Sequence, residues 1–162
     1  MDRLEIKEIQ DAFAVPLEEF VRETGVRLAV LINRSGQVLA QHGFDKLFDL
    51  VGVASLAAGI NASSRALATQ LGEDEFEHLH HAGRARQLFL AHFNSSAGQM
   101  MLVTVFDERS SIGLVRLFFA DFVNRIGDLP TTSLARAVAE VGDFEEELEA
   151  SLDRFFQDLI GN

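Results

Sequence analysis

The chain of 162 residues contains no cysteine. That absence excludes a disulfide framework and a thiolate metal site, and makes the cytoplasm the default location. Positive charge is also scarce. Fourteen Lys and Arg stand against 25 Asp and Glu, and the formal net charge of −11 argues against a nucleic-acid partner. There is no phosphate-cradling G-x-x-x-x-G-K loop, so the chain is not expected to bind and split a nucleotide itself. Nucleophile-elbow and metalloprotease motifs are missing as well. No catalytic residues, no cofactor and no resident metal are expected. The stretch Met1-Asp2-Arg3-Leu4-Glu5 lacks the apolar core of a signal peptide. The longest uncharged stretch, Leu88 to Phe106, is broken by His92-Phe93-Asn94-Ser95-Ser96-Ala97-Gly98 and reads as two strands, not a membrane span.

What is present is a globular composition with 48% apolar residues, enough for one domain with a real core. The most unusual stretch is Leu47 to Leu71, which carries no charge between Asp49 and Arg65. Its apolar residues surround the predicted helix instead of forming one stripe, and such a helix must be covered on more than one side. One of its surfaces is built of small residues: Gly52, Ala54, Ser55, Ala58, Gly59, Ala62, Ser63 and Ala66. Small side chains let another backbone come close. A fully buried core helix would explain the pattern; burial against a second copy of the chain, with part left for a partner, explains it better.

In chain order, Ile6, Ile9, Phe13, Leu17, Phe20 and Val21 recur at helical spacing up to a capping Gly25, with Pro16 expected to kink the helix or restart it. Val26 to Ile32 reads as a strand buried on both faces. Asn33-Arg34-Ser35-Gly36 turns it into a second strand over Gln37 to His42. The long helix then runs to Gly72. Three strands are expected at Phe76–His81, Gln87–Phe93 and Met100–Phe106, followed by a helix from the caps in Asp107–Ser111 to Gly127. The order α-β-β-α-β-β-β-α predicts an α+β layer fold with a five-stranded antiparallel sheet flanked by helices, occupying residues 1–126. Residues 127–143 read as a linker. Residues 144–162 read as an acidic amphipathic helix with Phe144, Leu148, Leu152, Phe155 and Phe156 on one face, suited to a groove on a partner or on its own domain.

Two charged groups invite functional readings. His78 and His80 would share a strand face and could hold a metal, although polar edge-strand residues are the commoner meaning of such a pair. Arg65, Arg84, Arg86 and Arg109 are candidate donors to a partner's phosphate, against the plainer reading of solvated arginines.

Several local strings resemble the Roadblock/LC7 superfamily, and within it the MglB-like regulators. They are Asn33-Arg34-Ser35-Gly36-Gln37-Val38-Leu39, Val53-Ala54-Ser55-Leu56-Ala57-Ala58-Gly59, Leu71-Gly72-Glu73-Asp74-Glu75-Phe76, His81 with Gly83, and the stretch from Val105-Phe106-Asp107 to Leu117. Position 53 departs from the pattern, with Val for the usual Leu; Pro16 and Phe118-Phe119 also look unusual. The resemblance implies a three-layer Roadblock fold and a homodimer formed through the long helix and a neighbouring strand. It implies a non-catalytic GTPase-activating role toward a small Ras-like, MglA-like GTPase in cell polarity or gliding motility. It also implies a partner platform at Ala58, Ala62, Ser63 and Ala66, a dimer contact near Val51, Ser55 and Gly59, and a second partner contact from the C-terminal helix. Rival readings are a Roadblock scaffold that binds without stimulating hydrolysis, and a small-molecule sensor, since profilin-like and PAS-like folds share the layer plan.

Overall fold

The computed structural model describes residues 3–43, 49–130 and 150–161. Eight elements follow in order: α1 (Arg3–Thr24), β1 (Leu28–Asn33), β2 (Val38–His42), α2 (Leu50–Gln70), β3 (His78–Ala82), β4 (Gln87–Ser95), β5 (Gly98–Phe106) and α3 (Ile112–Gly127). A further helix, α4, covers 150–160. The strands make one antiparallel sheet in the order β2-β1-β5-β4-β3, with β5 in the middle and β2 and β3 at the edges. This is the expected α+β architecture.

The sheet is covered on both faces because β1 demands it. Ala29 and Leu31 point to one face; Leu28, Val30 and Ile32 point to the other, and all five are buried. A strand apolar on both sides needs a layer on each. The first layer is α1 and α3. Phe13, Leu17 and Phe20 from α1 meet Val115, Phe122 and Ile126 from α3 over Phe89, Phe93, Leu102 and Phe106. Phe119, one of the residues that looked unusual in the sequence, stands edge-on to Phe89 at 5.6 Å and to Phe93 at 6.1 Å, a favoured aromatic geometry. Arg125 fastens the two helices together, reaching Glu19 at 2.8 Å and Glu23 at 2.9 Å.

Pro16 does not restart α1, which runs unbroken from Arg3 to Thr24 with the proline buried inside it. Proline removes one helical hydrogen bond, but Phe13, Leu17 and Phe20 anchor the turns on either side of it in the same core. The side chains of Ile6 and Ile9 lie outside the described residues. Gly25 does cap the helix, at φ 71°, with its N–H donating to the Val21 carbonyl.

Among the described residues the second layer is α2. Asp49 caps it by accepting from the Gly52 amide at 3.1 Å, so it begins later than Leu47, which lies outside the described residues. It ends at Gln70, two residues before Gly72. Ala54 and Ala57 seat it on Val30, Ile32, Leu90, Met101 and Val103. Several strand boundaries shift from expectation by one or two residues. β3 starts at His78, not Phe76, and the β4–β5 hairpin is tighter, with only Ser96 and Ala97 between strands. The Ser95 hydroxyl explains the tight turn, since it donates to the Gly98 carbonyl and accepts from the Ala97 amide.

Candidate partner-binding surface

One helix cannot hide five strands, nor can one sheet face hide a helix that is apolar all round. The buried line of α2 is Ala54, Ala57 and Ala68. At about 100° per residue, the rest of the helix divides into two flanks and an outward face. The flank toward the β1–β2 turn carries Val51, Ala58 and Ala62, with Ser55, Gly59, Ser63 and Ala66 continuing outward. Val51 is 70% exposed. Ser55, Gly59, Ala62, Ser63 and Ala66 are exposed, and Ala58 is half-buried.

The turn makes this flank rigid. The Asn33 side chain accepts from the amides of Ser35 and Gln37, and Gly36 adopts φ 91°. A Cβ on Gly36 would come within 3.0 Å of the Ala58 Cβ. Glycine and alanine thus set how closely the turn approaches the helix. The residues expected to form the dimer contact and those expected to form the platform lie together on one continuous small-residue surface. The first set lies toward the helix N-terminus and the second toward its C-terminus.

The opposite flank was not singled out from the sequence. Leu56 and Leu67 are 71% and 55% exposed. With Ile60, Phe76, Leu79 and His81 they border a groove of about 600 Å³ between α2 and edge strand β3. A second groove of about 400 Å³ continues under the helix over Val53, Leu88, Val103 and Val105, with His81 and Arg86 along it. The clue was available in register: Leu56, Ile60 and Leu67 fall on the side of the helix away from Ala58 and Ala62.

The charged candidates are mostly occupied. Arg65 donates from Nη1 to Gln99 Oε1 at 3.3 Å, which turns it toward the sheet and away from the outward face. The Arg109 amide donates to Asp107, while its side chain, like that of Arg84, is exposed. His78 packs on Phe89 at 5.6 Å; His80 stacks on Phe106 and contacts Gln87 Oε1 at 2.7 Å. Burial first, and then the nearby Arg116 charge, lower the His78 pKa from its ordinary value. Among the described residues no group of three or more His, Cys, Asp and Glu side chains converges to hold a metal.

By length and composition alone α2 could cross a membrane. Here it lies flat on a sheet, fixed by its alanine line and by Arg65. In α4, Leu152, Phe155, Phe156, Leu159 and Ile160 are all exposed, and the Phe155 and Phe156 rings meet edge-on at 5.9 Å. Phe144, Leu148 and most of the expected linker lie outside the described residues.

The chain matches the Roadblock/LC7 domain over residues 15–106. Its fold is similar to the gliding protein mglB of Thermus thermophilus, at 34% identity and a TM-score of 0.64, covering 82% of this chain and 92% of that one. It is likewise similar to Myxococcus xanthus MglB, at 28% identity and a TM-score of 0.65, covering 72% and 92%. An MglB with tetrameric arrangement matches at 33% identity and a TM-score of 0.65, covering 82% and 92%. No curated protein matches the sequence. The family match spans more than half of the chain, and the strings that suggested it fall on the β1–β2 turn, on α2 and on the β5–α3 junction: the chain belongs to the Roadblock/LC7 family.

Proposed function

We propose that this protein is a homodimeric, non-catalytic regulator of a small Ras-like GTPase, an activating protein for an MglA-like partner in cell polarity or motility, working in the cytoplasm. The observation that carries the reading is the uncovered half of α2, where Val51, Leu56 and Leu67 stand 55 to 71% exposed on the second layer of the sheet. Isolated apolar residues on a surface are ordinary, but exposed leucines beside an apolar groove on one flank of the helix, with small residues across its outward face, favour an interaction site. The similarity to MglB structures supplies the kind of partner.

GTP hydrolysis depends on positioning and charge stabilisation, and an arginine supplied in cis or in trans contributes about 10³ to 10⁵ in rate. The outward face of α2 offers small, rigid contacts and no charge pointing outward from Arg65. It therefore suits an activator that reshapes the GTPase's switch segment around the GTPase's own arginine. Ala62, Ala66, Ser63 and Ala58 form the platform in this reading. Val51, Ser55 and Gly59 belong to the dimer contact, together with the Leu56 groove. The α4 stripe of Leu152, Phe155 and Phe156 is a second contact for the GTPase.

The test is binding. The wild-type protein should hold a GTP-loaded MglA-type GTPase in calorimetry, and Ala62→Arg with Ala66→Arg should abolish that binding with an unchanged circular dichroism spectrum. Unfolding of the double variant would make these residues core and remove the platform. A scaffold that binds without stimulation shares this surface and differs only in the hydrolysis rate. The groove of about 400 Å³ under α2 favours a third reading, a sensor of small apolar ligands. A ligand there should raise the melting temperature without any second protein.

A further inference from the structure

The underside of α2 changes character along its length. Its buried residues are Ala54, Ala57 and Ala68. At about 100° per residue the same line passes, between Ala57 and Ala68, through Asn61, Ser64 and Arg65, which are half-buried. The sheet beneath changes with it. Along the paired strands β4 and β5, Leu88 beside Val105 and Leu90 beside Val103 give way to His92 beside Met101, then Asn94 beside Gln99. Asn61, Ser64 and Arg65 meet Leu90, His92 and Met101 around a cavity of about 10 Å³. His92 Nε2 lies 3.1 Å from the Glu75 carboxylate but is misaligned for a hydrogen bond. Arg65 spans the seam, donating from Nη1 to Gln99 Oε1 at 3.3 Å across 34 residues of chain.

We infer that Arg65 and Gln99 are positioning residues for the partner platform. Their hydrogen bond sets how α2 sits on the sheet between Ala57 and Ala68, and so how Ala62, Ser63 and Ala66 are presented. The inference rests on the platform reading, which it deepens. Ala54 and Ala57 are seated by close packing on Val30 and Val103, where any displacement forfeits contacts. A half-buried polar seam gives no such specification, because its groups can exchange protein partners for water. A directional hydrogen bond supplies it, and the guanidinium donor makes this one charge-assisted. The platform is sensitive to the result because an alanine has no rotamer with which to correct a misplaced backbone. Ala62 precedes Arg65 by three residues and Ala66 follows it by one, so a side chain anchored to the sheet at position 65 fixes the direction in which both face. Arg65 is turned toward the sheet, so its loss falls on affinity and not on the hydrolytic step.

The experiment combines amide hydrogen exchange of the free full chain with calorimetry and single-turnover hydrolysis using a GTP-loaded MglA-type GTPase. Arg65→Ala and Gln99→Ala should each speed exchange of residues 61–67 by about tenfold and leave residues 54–58 as in the wild type. Each should raise the dissociation constant about tenfold while the rate at saturating activator stays nearly unchanged. The double variant should be no weaker than either single one, because both remove the same bond. Gln99→Glu keeps the acceptor and should match the wild type. Unchanged exchange in both alanine variants would overturn the inference, as would faster exchange with an unchanged dissociation constant. Additive losses in the double variant would overturn it too. In all three cases the platform would stand on the wild type's own binding. A wild-type chain that binds no GTPase would remove the platform and the inference together.

Discussion

Arg65 is the only charge within α2 and the obvious candidate for an arginine donated to a partner's active site. Its guanidinium instead reaches Gln99 at the start of β5. Arg65→Ala should therefore change the GTPase rate at saturating activator by less than about tenfold, or about 1.4 kcal/mol of barrier. A loss of about three orders of magnitude would assign it a role in trans. Gly36 makes the opposite kind of prediction. Its φ of 91° and the 3.0 Å approach to Ala58 leave no comfortable place for a methyl group. Gly36→Ala should lower unfolding free energy by about 1 to 3 kcal/mol, read by urea denaturation. At this scale, sequence signals with local causes were legible. Gly25 at the end of α1 and the capping serine before α3 fall where backbone chemistry puts them, Ser111 accepting from the Leu114 amide. Leu56 was not legible as special, because a leucine on an apolar helix reads the same whether it faces a sheet, a groove or solvent.

Among the elements, β1 declared itself, since a run such as Leu28 to Ile32 is intelligible only with a layer on each side. Edges were harder. The start of β3 depends on where β4 can pair with it, and no local pattern in Phe76 to Ala82 records that. The unbroken passage of α1 through Pro16 is also a tertiary effect, in which packing overrides a local penalty. α4 is the least supported element. An isolated helix of such length is marginal in water, and its large apolar side chains are exposed. Removing residues 150–162 should leave the thermal unfolding midpoint of the domain unchanged while weakening GTPase binding. A drop in the midpoint would mean that α4 docks on its own domain.

For the whole molecule, the asymmetry between layers is the governing fact. Among the described residues two helices cover one face of the sheet and a single helix covers the other, which leaves part of that helix's apolar surface exposed. Light scattering at tens of micromolar should give twice the 17.9 kDa of one chain. Gly59→Asp should weaken that dimer. A Cβ at position 59 meets none of the described atoms within 4 Å, so the cost of the substitution should fall on association and not on folding. The layer plan could be read from the order of elements. The uncovered half of α2 could be read only as an apolar excess, because a sequence does not state which surfaces another molecule will cover. Completed by a second copy, this surface is proposed to drive a GTPase's own hydrolysis. Single-turnover GTP hydrolysis by an MglA-type GTPase tests it directly. The wild-type chain should accelerate the reaction, Arg65→Ala should nearly match it, and Ala62→Arg with Ala66→Arg should return it to the intrinsic rate. A GTPase that binds the wild-type chain yet hydrolyses GTP no faster would make the chain a scaffold and not an activator.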